Sequence, residues 1–171
     1  MIGCHAVRRR LRCCCETCTN SRTASIVKAA RIGNNYPGRR EAMLSKRLQG
    51  KVAIGTGTGS GIGQGCALMF ARHGARVMGC DINADAAQAT FDQARREDLA
   101  LDSVHPCDLT SPVDVERLML CTAERYGGLD VLVNAAAFGA FGFIEQLDYE
   151  RDWKRTLSGE LDLVFLGCKA A

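Results

Sequence analysis

From Lys51 onward, short continuous apolar runs alternate with longer stretches whose apolar residues recur at helical spacing. Val52, Ala53 and Ile54 read as a first strand over residues 52–55, although Gly55 stands where a β-branched residue would pack better. Residues 62–73 follow as a helix with Cys66, Met69 and Phe70 on its apolar face, stopping at Gly74. A second strand is expected over Arg76–Cys80, a helix over 83–96 and a third strand over 101–106. Ser111 and Pro112 are suited to the cap and first turn of the next helix, whose core face would be Val115, Leu118, Met119 and Thr122. Gly127-Gly128 ends it, and the continuous apolar run after it suits a fourth parallel strand covered on both faces. Residues 148–171 place Trp153, Leu157, Leu161, Val164 and Cys168 on one helical face. Strands alternating with helices in this way predict an α/β fold with a parallel sheet.

Composition narrows the picture without changing it. Hydrophobic content of 47% and charged content of 24% are those of an ordinary globular protein. No apolar run reaches the ~18 residues of a membrane span, so no membrane partner is expected. The net charge of +3 is unevenly spread. Residues 1–42 hold 9 Lys and Arg against 2 acids, whereas residues 43–171 hold 13 against 17. The basic character belongs to the N-terminal segment and gives no ground for nucleic-acid binding by the globular part.

Five of the ten cysteines also fall in the first 18 residues: Cys4, Cys13, Cys14, Cys15 and Cys18. Three readings of that segment stand side by side. Cys15 and Cys18 have metal-ligand spacing, but no second pair follows at zinc-finger distance. The Arg-rich, acid-poor composition suits a transit peptide, with mitochondrial import as its consequence. The favoured reading is a disordered extension or mis-assigned start over residues 1–47, with the globular part at 48–171. The remaining cysteines are scattered singly, which suits a reducing, cytoplasmic setting better than a disulfide framework.

The chemistry lies in the glycine loop after the first strand. A helix start offers N–H groups and partial positive charge, and glycines let an anion approach them. The P-loop spacing is absent, and Gly-x-Gly-x-x-Gly fails in every register. What fits is Thr-Gly-x-x-x-Gly-x-Gly, formed by Thr56, Gly57, Gly61 and Gly63, with Ser60 and Ile62 inside it. This resembles the cofactor loop of the short-chain dehydrogenase/reductase family. Asp81 lies 24 residues after Gly57, where a carboxylate accepts from the adenosine ribose hydroxyls. A 2′-phosphate would meet like charge there, no Lys or Arg occupies 57–63, and Ile82 follows, so the cofactor reads as NAD.

The resemblance extends over residues 48–171. It implies a Rossmann-like doubly wound parallel sheet, here incomplete at about four strands in the order 3-2-1-4. It also implies adenine contact by Asp108, with Leu109 beside it. Asn134-Ala135-Ala136-Ala137 is the counterpart of the family's Asn-Asn-Ala-Gly motif. Asn134 is expected to bond backbone groups beside the first strand, while Ala135 and Ala136 leave room for the cofactor.

The pattern then departs from the family. Its Trp-x-x-x-x-x-x-Asn segment would place Asn where Glu160 stands, and a carboxylate lacks the amide's donor. The family's Ser and Tyr-x-x-x-Lys have no counterpart: none of Tyr36, Tyr126 and Tyr149 has a Lys four positions on. The parent activity implied is NAD-dependent oxidation of a secondary alcohol or reduction of a ketone, which these residues are expected not to turn over. The alternative is a non-catalytic, degenerate NAD-binding or interaction module. The fourth strand is expected as an open edge, with the Trp153 face of residues 148–171 exposed and available for homo-oligomer contacts.

Overall fold

The computed structural model describes residues 46–171, so the readings of the Cys-rich, basic segment up to residue 45 lie outside the described residues. Four parallel strands form one sheet in the order β3-β2-β1-β4, as expected. They are β1 (Val52–Thr56), β2 (Arg76–Cys80), β3 (Leu101–Val104) and β4 (Val131–Val133). Ala53 pairs with Val77 on one side and Val131 on the other, which fixes the register around the central strand. The third strand stops two residues short of expectation, before a cis His105–Pro106 bond.

Successive side chains of β1 and β2 alternate between two apolar layers. Ala53 and Val77 pack with Ala67, Leu68, Ala71, Ala94 and Leu101 under α1 (Gly61–Arg72) and α2 (Ala84–Arg96). Ile54, Met78 and Cys80 pack on the other face with Val115 and Leu118 of α3 (Pro112–Tyr126) and with Leu163. Helices on both faces of a parallel sheet make the Rossmann-like, doubly wound arrangement.

Helix ends follow the residues read from the sequence. Asn83 Oδ1 accepts from the Ala86 N–H at 3.1 Å, and Ser111 Oγ accepts from the Asp114 N–H at 3.4 Å. Gly74 takes φ +91° directly after α1 and lets the chain reverse into β2. The inward face of α1 differs from expectation. Its buried residues are Gly63, Ala67, Leu68 and Ala71, while Met69 is exposed and Cys66 half-buried. Small residues bring α1 close to the sheet. A Cβ on Gly55 would lie 3.5 Å from Ala67 Cβ and from Thr58 Cγ2, in van der Waals contact with α1 and the loop after β1.

The last helical run presents its Trp153 face outward, as expected, and buries a different one. Residues 149–170 continue as one helix through wide π turns at Tyr149–Lys154 and Ser158–Asp162. Its buried positions are Gly159, Leu163 and Gly167, one turn apart. Trp153, Leu161 and Cys168, from the face read as the apolar one, are exposed; Leu157 and Val164 are half-buried. A Cβ on Gly159 would sit 2.3 Å from the Phe138 carbonyl oxygen and 2.9 Å from its ring. The glycine is what lets the segment leaving β4 pass against the helix. No helix among the described residues is long and apolar enough to cross a membrane.

Candidate functional site

The C-terminal ends of the strands open into one cleft of ≈ 390 Å³. The loop from β1 to α1 forms one wall through Gly57, Ser60, Gly61, Ile62 and Gly63. Asp81 and Ile82 after β2, then Asp108 and Leu109 after β3, form the second. Ala135 and Ala136 after β4 close the third. A crevice at the carboxyl ends of the strands, where strand order reverses, is the common ligand position of open α/β sheets.

The loop is held by its own backbone. Thr58 is fully buried, and both its N–H (3.1 Å) and its hydroxyl (3.3 Å) donate to the Cys80 carbonyl. The Thr90 hydroxyl reaches from α2 to donate to the Thr58 carbonyl at 2.8 Å. Gly63 lies so close beneath the loop that a Cβ would stand 2.1 Å from the Gly57 carbonyl oxygen. Gly57 itself has φ +68°, and a Cβ there would meet Ala136 Cα at 2.8 Å. These two glycines are demanded by contact and conformation together.

The start of α1 differs from the other two helix starts. Ser60 is its cap residue, yet its side chain makes no capping bond, and the first turn holds no acid. Side chains of Asn83 and Ser111 cap α2 and α3. The first-turn N–H groups of α1 are thus left to the cleft, where an anion would be stabilised by them and by the helix dipole.

Asp81 stands across the cleft. Its Oδ2 accepts from the Gly59 N–H at 2.7 Å and its Oδ1 from the Asn83 N–H at 2.8 Å. Each oxygen keeps further acceptor capacity. Ile82 and Ile62 project as exposed aliphatic side chains at the rim. Asp108 closes an Asx turn, with Oδ1 accepting from both the Thr110 N–H (2.9 Å) and hydroxyl (2.7 Å).

Two expected residues lie outside the cleft wall. Asn134 does not bond backbone beside β1; its Nδ2 donates to Cys168 Sγ at 3.4 Å. The backbone-holding role falls to Thr56. Its hydroxyl donates to the Val133 carbonyl at 3.1 Å and accepts from the N–H groups of Ala135 (2.9 Å) and Ala136 (3.0 Å). Thr56 is therefore a buried brace between β1 and the exit of β4. Glu160 is exposed and does not line the cleft.

Sequence reasoning missed Cys107, Thr110, Phe138 and Leu163, all in the cleft wall beside Ala137 of the motif. Thr110 had a local signal, since Asp-x-Thr is the pattern of an Asx turn. Leu163 and Phe138 had none. They arrive through the packing of the last helical run.

A model of short chain dehydrogenases matches residues 51–171. Among curated proteins, the chain is 39% identical to a mitochondrial borneol dehydrogenase of Lavandula x intermedia over 127 residues, 74% of this chain and 47% of that one. It is 36% identical to a D-threitol dehydrogenase of Mycolicibacterium smegmatis, over 72% of this chain and 47% of that one. Of solved structures, a short chain dehydrogenase from Mycobacterium smegmatis superposes with a TM-score of 0.68 at 34% identity, covering 74% of this chain and 52% of that one. Actinorhodin polyketide ketoreductase with NADPH superposes with a TM-score of 0.67 at 32% identity, over 70% of this chain and 45% of that one. The chain spans about half the length of the curated relatives it matches. Matched by that family model over residues 51–171, this chain belongs to the short chain dehydrogenase family.

Proposed function

We propose that residues 48–171 bind NAD in this cleft. The observation that carries the reading is the pairing of an uncapped α1 N-terminus with the Asp81 carboxylate at the same cleft. Pyrophosphate would meet the N–H groups of Gly61, Ile62 and Gly63, with Thr56, Gly57 and Ser60 holding the loop in shape. Asp81 would accept from the ribose hydroxyls. Asp108 and Leu109 would border the adenine, opposite Ile82. Ala135 and Ala136 would leave space toward the nicotinamide, with Thr56 bracing their strand exit from behind. Bound nicotinamide supplies hydride exchange with a carbon bearing oxygen. The protein's own contribution here is placement.

NAD is preferred to NADP on charge. A 2′-phosphate against Asp81 would cost about 1 kcal/mol at 4 Å in water and several in a part-buried site. The NADPH carried by one solved relative makes this a question for measurement in this chain. Titration calorimetry with both cofactors decides it. NAD should bind more tightly, and preference for NADP or failure of both to bind would overturn the reading.

For the whole protein we propose oxidation of a secondary alcohol or reduction of a ketone, supported by its likeness to proteins named as borneol and D-threitol dehydrogenases. These 171 residues hold no Tyr with a Lys four positions on, so by themselves they should bind cofactor without turnover. A specific observation favours a second reading, a non-catalytic NAD-binding or interaction module: Glu160 stands at the family's Asn position and faces solvent. Turnover of an alcohol by the 171-residue chain would remove that reading. The thiols of Cys66, Cys80, Cys107 and Cys168 support a reducing, cytoplasmic compartment. Exposure of Trp153, Leu161 and Phe165 supports self-association through residues 148–171.

A further inference from the structure

Two helical threonines, Thr90 of α2 and Thr122 of α3, are each 1% exposed, yet their hydroxyls are used differently. Thr122 shows the ordinary use of a buried helical threonine, donating to the Leu118 carbonyl one turn back at 2.7 Å. In α2 the same bond, from Thr90 to the Ala86 carbonyl, is stretched to 3.3 Å. The shorter bond, at 2.8 Å, leaves the helix for the Thr58 carbonyl of the glycine loop. The Thr90 oxygen in turn accepts from Gln64 Nε2 of α1 at 2.9 Å. One hydroxyl joins the loop, α1 and α2.

We propose that Thr90 is a positioning residue for the cofactor, its hydroxyl setting where the glycine loop stands between the open N-terminus of α1 and Asp81. This rests on the NAD reading given above. Thr58, Gly59 and Thr90 lie outside the cleft wall, but Gly57 and Ser60, on either side of the first two, line it. Thr58 is held from two elements: its N–H and hydroxyl donate to Cys80 at the end of β2, and its carbonyl accepts from Thr90 of α2. Gly59 comes next, with its N–H on Asp81 Oδ2 at 2.7 Å. A Cβ on Gly59 would lie 2.8 Å from Ala86 Cβ. Ala86 and Thr90 are four positions apart on one face of α2, so this helix backs two successive loop residues.

NAD would bridge the two groups that this brace keeps in place, with pyrophosphate on the N–H groups of α1 and ribose hydroxyls on Asp81. A ligand held at both ends at once depends on how well the separation between them is fixed beforehand. Without the Thr90 hydroxyl, the Thr58 carbonyl and the Gln64 amide lose the group they share, and binding has to order the loop as well as hold the ligand. Thr122 is the built-in comparison. It offers the same side chain at the same burial, but its bond stays within its own helix.

The test compares Thr90→Val, Thr90→Ser and Thr122→Val in the full chain by NAD calorimetry, melting temperature and amide hydrogen exchange over residues 57–63. Thr90→Val should weaken NAD binding about three- to tenfold, the worth of one hydrogen bond, and speed exchange of the loop amides. Thr90→Ser should restore both. Thr122→Val makes the same chemical change and should lower the melting temperature while leaving NAD affinity and loop exchange as they were. If Thr90→Val did not fold, Thr90→Ala removes the same hydroxyl with a residue that helices favour. Unchanged NAD affinity on loss of the Thr90 hydroxyl would overturn the proposal. So would an equal loss in Thr122→Val, or weaker binding with the loop amides unaffected. A native chain that bound no NAD would instead sink the cofactor reading, and a loop loosened by Thr90→Val alone would still establish the brace.

Discussion

Thr56 and Ala135 lie 79 positions apart, and the Thr56 hydroxyl oxygen accepts from the Ala135 N–H at 2.9 Å. With the bonds from Ala136 and to Val133, one buried hydroxyl uses its donor and both acceptor sites on the exit of β4. Thr56→Val keeps the shape and removes all three bonds. Leaving buried N–H groups unpaired should cost roughly 1–3 kcal/mol, read as a lower melting temperature. Thr56→Ser should recover most of it. NAD affinity should fall with Thr56→Val, because Ala135 and Ala136 line the cleft.

Asp81 should decide which cofactor enters. Its oxygens hold the Gly59 and Asn83 N–H groups and also face the cleft. Asp81→Ser removes the charge that a 2′-phosphate would oppose. NAD should bind more weakly and NADP more tightly, with a combined change in preference of about 1 kcal/mol or more. Calorimetry with both cofactors on both proteins measures it, and an unchanged ratio would show that Asp81 does not read the ribose.

Gly159 offers a test in which local propensity and packing disagree. Alanine in a helix interior is ordinarily favoured over glycine by roughly 0.5–1 kcal/mol. Here its Cβ would press on the Phe138 carbonyl and ring, and overpacking of this kind costs about 1–3 kcal/mol. Gly159→Ala should therefore lower the melting temperature. An increase would mean that the helix moves away from Phe138 at little cost.

The contacts of Gly159 and Thr56 lie far apart in sequence, whereas other parts of the molecule are written locally. The loop spacing, the caps at Asn83 and Ser111 and the turn at Gly74 depend on residues within a few positions, so they could be read directly. Strand order followed from the alternation of apolar runs and the family resemblance. The inward faces of α1 and the last helical run could not be read from hydrophobicity. There, close approach to the sheet and to Phe138 selects Gly63, Ala67, Gly159 and Gly167 over larger apolar residues. Asn134 was given the brace that Thr56 provides, because the motif places both residues at the junction but not the direction of either side chain. Cys107 escaped notice because a lone thiol in an apolar segment is ordinarily core.

Asp130 fastens the open-edge strand to the centre of the sheet, and its charge makes that fastening depend on pH. Its Oδ1 accepts from Lys51 Nζ at 2.8 Å, its Oδ2 accepts from the Val52 N–H at 2.8 Å, and its N–H donates to the Val52 carbonyl. The Lys51 ammonium and then the Val52 N–H hold its carboxyl below the usual carboxylate range. A carboxyl whose folded pKa lies below its unfolded value stabilises the fold above the unfolded pKa, near 4. That contribution disappears as pH falls through the folded value. Asp130→Asn keeps an acceptor for Val52 but not the charge. Melting temperatures of the two proteins should differ at pH 6 and converge near pH 2, with a smaller difference in high salt because the Lys51 pair is exposed. Glu97 and Asp152 are also shifted downward and add their own acid slope, but they do so equally in both proteins. The difference curve therefore isolates Asp130, and a difference that stayed constant down to pH 2 would assign its effect to shape instead of charge.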